Sequence, residues 1–322
     1  MKVSVALCTY NGERFIAEQL RSIRDQTRVP DEVVIRDDGS TDRTLHIVDA
    51  FARDFPGTVD VAVNPSRLGV TANFQAALSA TTGDVILLSD QDDVWFPDRV
   101  DRAERTFKED PELLLLFADA RLVDASGRPL GSTLLKALGV TPDERSRILS
   151  DRAFEVLAKR SMALGAATCL RRTVLGDALP IPPSWMHDEW VALIASARGR
   201  VACVDEPVID YRQHDANVVG RPPMSLRELY ASVFAPRRDF RIDMVERVAS
   251  LGARLQTMSA PREHLALCAE KLQHVRIRGS LPPLRPMRVV PILREAWTGR
   301  YRRYSTGWRA ILVDLFGPIA TR

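Results

Sequence analysis

Hydrophobic and polar positions follow two alternating periods in the N-terminal part of the chain. Apolar runs with strand-like alternation are separated by segments in which apolar residues return every three or four positions. We predict strands at Val3 to Cys8, Glu32 to Arg36, Thr58 to Val63 and Asp84 to Leu88. The intervening segments predict helices at Glu13 to Gln26, Thr41 to Phe55 and Val70 to Ala80. This βαβαβαβ order favours a mostly parallel sheet flanked by helices, an α/β fold.

The middle of the chain has a mixed pattern. Strands are predicted at Leu113 to Ala118, Met162 to Leu170, Val201 to Val204 and Val208 to Tyr211, and a helix at Glu189 to Ala197. These elements are expected to complete the sheet. From Ser225 onward the pattern is helical, and a boundary is predicted near Gly220-Arg221-Pro222-Pro223. The sequence therefore predicts a catalytic domain over residues 1–220 and a basic helical region over residues 221–322.

Composition restricts the class of protein. The chain has 322 residues, 45% of them hydrophobic, which is enough to bury a full core. Its longest apolar run, Leu113 to Ala118, is far shorter than the roughly 20 residues that span a bilayer. The N-terminus has the pattern of a strand rather than of a signal peptide. Four scattered cysteines without paired spacing are expected to be reduced, and the protein is expected to be cytoplasmic.

Charge is divided unevenly along the chain. From Arg221 to the end there are 19 Lys and Arg against 8 Asp and Glu, and the rest has 26 against 34. The segment Arg285 to Arg309 combines arginines with Trp297, Tyr301, Tyr304 and Trp308, and the last helix, near Thr306 to Phe316, has an apolar face. This pattern suits peripheral contact with an anionic membrane, and equally a solvated basic face on packed helices. No nucleic-acid partner is predicted, because no recognition motif accompanies the charge.

Polar turns follow three of the predicted strands. They are Thr9 to Gly12, Asp37 to Asp42 and Ser89 to Asp93, and they converge at the carboxyl edge of a parallel sheet, where ligands bind. Asp90 and Asp92 follow a buried strand, so their like charges call for a divalent cation such as Mg²⁺ or Mn²⁺. The alternative is that such residues cap helices, which applies best to Asp42, Asp93 and Asp98.

Five short motifs in this order resemble the family 2 glycosyltransferases of the GT-A fold. The motifs are Thr9-Tyr10-Asn11-Gly12, Asp37 to Asp42, Asn64 to Asn73, Asp90-Gln91-Asp92-Asp93 and His187-Asp188. The resemblance covers about residues 2 to 220. It implies a metal-dependent, inverting transfer of a sugar from a nucleotide diphosphate sugar to a glycan or lipid-linked acceptor.

A narrower resemblance concerns the end of this region. Tyr211-Arg212-Gln213-His214, followed by Asn217-Val218-Val219-Gly220, is similar to rhamnosyltransferase-like members that build lipopolysaccharide or capsule. It implies a dTDP- or UDP-sugar as donor, with rhamnose as the favoured sugar.

The resemblance also implies a role for individual residues. A nucleotide pocket would be lined by Thr9, Tyr10 and Glu13, with Asp38 on the pyrimidine ring and Asp90 facing the ribose and a metal-bound water. The metal would be held by Asp92, with His214 reaching the metal or the diphosphate. Asp188 would be the general base, and the chain departs from the family's Glu-Asp pair by having His187 in place of the glutamate, so His187 or Glu189 could share that work.

Less specific readings remain open for these residues. His187 could be a surface or capping histidine, and Asp188 could be the N-cap of the following helix. His214 could be a solvated residue of a loop. Trp95 and Trp190 are expected to be packing residues. Arg67, Arg99 and Arg102 are candidate partners of a diphosphate.

Three other functions agree less well with the sequence. Asp90 to Val94 also fits the motif of haloacid-dehalogenase-like phosphatases, which would leave the Asp37 to Asp42 turn unexplained. A non-catalytic scaffold in glycan assembly would be expected to lack one of the carboxylates at positions 38, 90, 92 and 188, and all are present. A nucleotide-binding dehydrogenase is disfavoured because no glycine-rich phosphate loop follows the first strand.

Overall fold

A computed structural model describes residues 1–150, 152–214 and 240–317, with side chains of the last range from residue 243 onward. The chain divides into two compact units. Unit 1 comprises Met1–Ala153 and Ser161–Gly220, and unit 2 comprises Phe154–Arg160 and Arg221–Arg322. The boundary predicted near Gly220 to Pro223 lies outside the described residues, as do Asn217 to Gly220 and the start of the predicted helical region.

The described part of unit 1 contains one mixed sheet. Its strands are β1 (Val3–Thr9), β2 (Glu32–Asp37), β3 (Thr58–Val63), β4 (Val85–Ser89), β5 (Val94–Trp95), β6 (Leu113–Val123), β7 (Pro129–Thr133), β8 (Thr168–Arg171) and β9 (Arg200–Arg212). Their order is β3-β2-β1-β4-β8-β6-β9-β5, with β7 paired to β6. The pairs among β1 to β4 are parallel, as is β6 with β9, whereas β8 is antiparallel to both its neighbours.

Helices connect these strands. Those of unit 1 are α1 (Ile16–Arg24), α2 (Thr44–Asp54), α3 (Val70–Ala80), α4 (Arg99–Glu109), α5 (Leu134–Ala137), α6 (Pro142–Ile148), α8 (Leu175–Ala178) and α9 (His187–Arg198). The helix α7 (Ala153–Lys159) runs from unit 1 into unit 2. Each of α1 and α4 buries apolar residues at helical spacing and exposes charged ones, which explains why these segments fold as helices against a sheet.

The centre of the sheet is the most deeply buried part of unit 1. Every residue of β1 and of β4 is buried, whereas the edge strand β3 has no fully buried position. Continuous apolar burial is the mark of a parallel strand covered on both faces. The rigid support for the turns that follow β1 and β4 comes from this burial.

Two predicted elements were wrong in part. The segment Met162 to Leu170 is not one strand: a short 3₁₀ helix occupies Gly165–Ala167, and only Thr168–Arg171 pairs in the sheet. The two strands predicted at Val201 to Val204 and Val208 to Tyr211 are one long strand, β9, whose pairing with β6 is shifted near Asp119. The shift is a local irregularity in the pairing that leaves the strand continuous.

The four cysteines agree with the prediction of packing residues. Cys8, Cys169, Cys203 and Cys268 are all buried and none forms a disulfide. Trp95 and Trp190 are buried as predicted, and the indole of Trp190 donates to the carbonyl of Ala178 over 2.7 Å.

Unit 2 is helical throughout its described residues. Its further helices are α10 (Phe240–Thr257), α11 (Arg262–Gly279), α12 (Arg285–Trp297), α13 (Arg300–Tyr304) and α14 (Trp308–Phe316). Tyr301 and Tyr304 are buried, and their hydroxyl groups donate to Asp314 and Glu270. Of the two interpretations offered for this segment, the burial of both tyrosines agrees with packed helices and removes these two rings from any aromatic surface. None of the described helices is both long and apolar enough to cross a bilayer.

Replacing Trp190 by alanine is expected to lower the free energy of unfolding of unit 1 by about 3–5 kcal/mol, because the change removes a fully buried ring and leaves a cavity. The measurement is urea unfolding followed by circular dichroism. The matched control is Trp297→Ala, since 94% of that side chain is exposed and its loss should change the free energy by no more than about 0.5 kcal/mol. Equal effects of the two substitutions would contradict this account.

Candidate functional site

The three polar turns lie side by side, as the sequence predicted. Strand β1 pairs with β2 on one side, with Thr9 opposite Asp37, and with β4 on the other, with Leu7 opposite Ser89. Each turn begins where its strand ends. The carboxyl edge of the parallel half-sheet therefore carries all three.

The first two turns are tied to each other by reciprocal hydrogen bonds. The backbone of Asn11 donates to the Ser40 hydroxyl over 2.8 Å, and the Asn11 side chain accepts from the Thr41 backbone over 2.9 Å. Asn11 takes up the left-handed backbone conformation this turn requires, with φ of 46°. Glu13 makes two further bonds to the second turn. Its backbone N–H donates to the Asp42 carboxylate, and its carboxylate accepts from the Arg43 backbone, both over 3.0 Å.

These bonds bear on two residues predicted to line the nucleotide pocket. The Glu13 carboxylate is occupied by the backbone at the start of α2, and the Thr9 hydroxyl donates to Asp37 over 2.7 Å. Both side chains hold the turns in place. Their contact with a nucleotide stays a prediction.

Gln91, between the two aspartates of the third turn, joins that turn to the first. Its amide accepts from the Tyr10 backbone over 2.9 Å and donates back to the Tyr10 carbonyl over 3.1 Å. A Cβ at Gly12 would lie 2.3 Å from the Gln91 oxygen, so a larger residue there would displace the Gln91 amide from Tyr10. The ring of Tyr10 lies beneath the guanidinium of Arg67, 4.0 Å from its centroid.

Asp38 is held by several donors. One carboxylate oxygen accepts from the Leu68 backbone over 2.7 Å and from Asn64 over 3.0 Å, and the other accepts from the Gly69 backbone over 2.8 Å. Burial of the carboxyl group favours the protonated form, but these hydrogen bonds outweigh it and lower the pKa of Asp38. The aspartate thus stays ionised and anchors the loop over residues 64–69.

The third turn collects negative charge that is not neutralised in this way. Burial, then the charges of Asp92 and Asp188, raise the pKa of Asp90 to about 8, against the opposing effect of Arg99. Within the described ranges, no group donates a hydrogen bond to the Asp90 carboxylate. Burial likewise raises the pKa of Asp93 well above its usual value, and one oxygen of that side chain has no hydrogen-bond partner among the described residues.

His214 meets the third turn directly. Its Nε2 lies 2.8 Å from Oδ2 of Asp92, and its ring stacks on Phe15 with centroids 5.0 Å apart. The side chain is only 13% exposed, so the reading of His214 as a solvated loop residue was wrong. The sequence-predicted pair Asp92 and His214 is brought together.

Two arginines support the acidic turn, and sequence reasoning did not identify their part in it. Arg212 donates through Nε to the Asp92 carbonyl over 2.8 Å and through Nη2 to Glu18 over 2.6 Å, while its backbone N–H donates to Asp93 over 3.1 Å. Arg99 is buried beneath the turn, stacks on Trp95 and donates to the Leu88 carbonyl over 3.0 Å. Burial lowers the pKa of Arg99 to about 10, so it remains charged.

The other candidate arginines differ in position. Arg67 is exposed beside Tyr10 and Asp38, whereas Arg102 donates to the Pro207 carbonyl over 3.4 Å, away from the acidic turn. No signal in the sequence distinguishes these arginines from one another. The contact of Arg212 with Asp93 joins residues 119 positions apart, which local patterns do not reveal.

Asp188 lies in the first turn of α9, where the helix dipole favours a carboxylate. One oxygen accepts from the Gly165 backbone over 2.9 Å and the other from the Glu189 backbone over 2.7 Å. The cap of the helix is Met186, so the reading of Asp188 as the N-cap was wrong. The negative charge of Asp188 raises the pKa of Asp90, so the two carboxylates interact electrostatically.

His187 is neither a surface nor a capping residue. It is 3% exposed, its ring lies flat on Phe74 with centroids 3.7 Å apart, and neither ring nitrogen has a hydrogen-bond partner among the described residues. Burial lowers the pKa of His187, against the charge of Asp188. The ring is therefore neutral at neutral pH.

These residues fit a divalent cation that takes some of its ligands from the protein and the others from the substrate. The described ranges contain no group of three or more side chains able to hold a metal on their own. Mg²⁺ and similar ions commonly take one or two protein ligands and complete their shell with substrate phosphates and water. The Nε2 of His214 and Oδ2 of Asp92 are hydrogen-bonded over 2.8 Å, so an ion held by both side chains would replace that hydrogen bond.

The sequence matches the family described as Glycosyl transferase family 2 over residues 4–173. It is 37% identical over 222 residues to a protein of Shigella flexneri named dTDP-rhamnosyl transferase RfbG, covering 66% of this chain and 73% of that protein. An uncharacterised glycosyltransferase of Nostoc is 26% identical over 220 residues, covering 67% of this chain and 66% of that protein. An uncharacterised protein of Mycobacterium tuberculosis is 29% identical over 215 residues, and the matched region is 59% of its length. The chain therefore spans about two thirds of the length of the Nostoc relative and less than two thirds of the Mycobacterium one.

Solved structures share the fold. S. aureus TarS 1-349 in complex with UDP-GlcNAc matches with a TM-score of 0.61 at 18% identity, over 98% of this chain and 89% of that one. A mannosyltransferase of Pyrobaculum calidifontis in complex with GDP-Man and Mn²⁺ matches with a TM-score of 0.53 at 18% identity, over 98% and 85%. The predicted GT-A fold, a parallel-rich α/β sheet flanked by helices with further helices at the C-terminus, is confirmed.

The substitution Asp90→Asn is expected to stabilise the metal-free protein at neutral and alkaline pH. The pKa of Asp90 is about 8 in the folded protein and about 3.9 when unfolded, so ionisation costs stability progressively as the pH rises between these values. Since each pKa unit corresponds to about 1.4 kcal/mol, the variant should gain about 1.5 kcal/mol at pH 5 and on the order of 5 kcal/mol at pH 8. Thermal melts with a chelator across this pH range give the measurement.

The matched control is Asp54→Asn, at an exposed position at the end of α2, which should show no such trend. A stability difference between Asp90→Asn and the parent that shrinks as the pH rises would show that the Asp90 carboxyl is not under electrostatic stress.

Proposed function

Because this chain belongs to glycosyltransferase family 2, we propose that it transfers a sugar from a nucleotide diphosphate sugar to a hydroxyl group of a glycan or lipid-linked acceptor, with inversion at the anomeric carbon. The setting we propose is the synthesis of cell-surface polysaccharide. The observation that carries the proposal is that Asp90 and Asp92 follow β4, that His214 contacts Asp92, and that the charge of Asp188, at the start of α9, acts on Asp90.

The proposed donor is a dTDP-sugar, with a UDP-sugar as the alternative. Its support is the 37% identity to a protein named as a dTDP-rhamnosyl transferase, and rhamnose is the sugar we favour. Tyr10 and Asp38 directly follow the neighbouring strands β1 and β2 and would line the base. The Asp38 oxygen that accepts only from Gly69 retains a lone pair for an N–H of a pyrimidine ring.

The leaving group is the nucleoside diphosphate, on which negative charge builds as the sugar–phosphate bond breaks. A bound Mg²⁺ or Mn²⁺ would stabilise that charge. Asp92 and His214 would hold the ion, and Asp90 would face the ribose. Arg212 fixes the backbone of Asp92, so the ligand oxygen is positioned in advance.

Asp188 would act on the acceptor from the other side of the sugar. As the acceptor oxygen bonds to the anomeric carbon, its proton passes to a carboxylate oxygen of Asp188, and the bond to the diphosphate breaks. A displacement in one step inverts the anomeric centre. The bonds from the Gly165 and Glu189 backbones fix the carboxylate and leave lone pairs to take the proton.

The rival functions have less support. A phosphatase would not explain why the Asp37 to Asp42 turn is tied to the first turn, and a scaffold would not need an unneutralised carboxylate at Asp90. We place the reaction in the cytoplasm, in keeping with four unpaired cysteines.

A donor panel tests the function. Thermal melts with dTDP-rhamnose, UDP-glucose, UDP-galactose, UDP-N-acetylhexosamines and GDP-mannose, each with and without Mn²⁺, are expected to show stabilisation by a dTDP- or UDP-sugar that increases with Mn²⁺, because nucleotide and ion share the site. Failure of every donor to stabilise the protein would refute the proposal. Stabilisation by GDP-mannose alone would refute the pyrimidine assignment.

Two variants separate binding from chemistry. Asp188→Asn should leave the Mn²⁺-dependent thermal shift in place and lower kcat by about 10²–10⁴-fold, because only the proton acceptor is lost. Asp92→Asn should abolish the Mn²⁺-dependent part of the shift as well as transfer. Sugar transfer and donor hydrolysis measured by release of nucleoside diphosphate are the readouts, with Asp54→Asn as the control. Full turnover by either site variant would be incompatible with its proposed role.

A further inference from the structure

Helix α12 has the reverse of the usual distribution of polar and apolar residues. Its buried face carries Arg288 and Glu295 with Ile292. Its exposed residues include Met287, Val289, Val290, Leu293 and Trp297, and the last of these is 94% exposed. A helix on the surface of a globular protein normally turns its apolar residues inward.

Helix α14 shows the same inversion. It buries Asp314 beside Ala310, whereas Trp308, Leu312 and Phe316 are exposed at a spacing of four residues. That spacing places them on one face of the helix. Trp308 is 62% exposed. The two helices pack against each other, so one region of unit 2 carries both exposed apolar faces.

The buried charges explain why the apolar residues are outside. Arg278 forms two hydrogen bonds to Asp314, of 2.7 and 3.2 Å, and Tyr301 donates to the same carboxylate over 2.8 Å. Glu295 lies 2.8 Å from His274, and Arg288 donates to the carbonyls of Pro282, Pro283 and Gly317. The polar interior is fully bonded, so it is a stable arrangement that leaves the other face of each helix for contact.

The exposed charge around these faces has one sign. In residues 284–317 the acidic residues are Glu295 and Asp314, and both are buried. The exposed charged residues of this range are arginines, at positions 285, 294, 302, 303 and 309. Arg303, on α13, is paired with Glu270 over 3.2 Å, whereas Arg285, Arg294 and Arg309 have no acidic partner among the described residues. The surface of α12 and α14 therefore combines large apolar side chains, two of them tryptophans, with arginines that no described carboxylate neutralises.

We propose that the exposed faces of α12 and α14, the α12–α14 surface, dock onto an anionic lipid bilayer. Apolar side chains would enter the headgroup boundary, where tryptophan rings are favoured, and the arginines would pair with anionic lipid. A symmetric dimer through the same surface would place arginines against arginines, because Glu295 and Asp314, the acidic residues of α12 and α14, are buried. The proposal goes beyond the proposed function and does not depend on the transfer reaction.

Vesicle co-sedimentation of the full chain tests this. The protein is expected to bind vesicles of phosphatidylcholine with 30% phosphatidylglycerol, to bind pure phosphatidylcholine much less, and to be released as NaCl is raised, because the arginines contribute about fivefold each to binding. The double variant Leu293→Gln/Trp297→Gln should lower the partition coefficient at least about tenfold, since two apolar side chains no longer enter the bilayer.

The matched control is Leu130→Gln/Leu149→Gln, which replaces two exposed leucines of unit 1 and should bind vesicles as the parent does. Circular dichroism of each variant shows that it is folded. The proposal is overturned if the parent does not bind anionic vesicles, if it binds neutral vesicles equally, or if the two double variants bind alike. It is also overturned if sedimentation without lipid shows a dimer that Leu293→Gln/Trp297→Gln converts to a monomer.

Discussion

The mutual repulsion of the carboxylates of Asp90, Asp92 and Asp188 is the constraint on which the rest of unit 1 depends. Three separate parts of the chain hold these charges together: the end of β4, the first turn of α9, and Arg212 at the end of β9, which fixes the backbone of the acidic turn. Like charges that interact in a buried site raise the free energy of the folded state. The buried strands β1 and β4 offset that cost and keep the turns from moving apart. The repulsion between these carboxylates therefore lowers the stability of the fold at the place where a cation and a diphosphate would bind.

Hydrogen bonding divides the acidic residues of this edge into two groups. Asp37, Asp38 and Asp42 accept bonds from backbone N–H groups and hydroxyls and act as structural anchors for the loops that follow β2. Asp90 and one oxygen of Asp93 receive no such bonds among the described residues, and burial raises the pKa of both. Asp38 belongs to the first group although its predicted role is in nucleotide binding. Its loss would therefore disturb the loop over residues 64–69 as well as any contact with a base.

The periodicity of the chain was sufficient to predict β1 to β4 and the helices between them, because buried parallel strands and amphipathic helices leave strong patterns. The convergence of the three turns followed from topology, since parallel neighbours end at the same edge. The segment Met162 to Leu170 was misjudged because a short 3₁₀ helix and a buried strand have the same apolar composition. The role of Arg212 was not predictable, since a contact across 119 positions leaves no local signal. The sequence analysis assigned no role to Gln91, yet its amide joins the first turn to the third through two hydrogen bonds with the Tyr10 backbone.

His187 replaces the glutamate that the family resemblance leads one to expect, and its environment explains how the site accommodates the change. A glutamate at this position would add a further negative charge beside Asp188 and Asp90, whereas a buried imidazole with a lowered pKa adds none at neutral pH. The ring is stacked on Phe74, and its Nε2 faces Gly165 so closely that a Cβ there would lie 2.9 Å away. With 3% of the residue exposed, this ring is less accessible to an acceptor hydroxyl than the carboxylate of Asp188. The proton of the acceptor would therefore go to Asp188, whose carboxylate is half-buried and held in place by two backbone N–H groups.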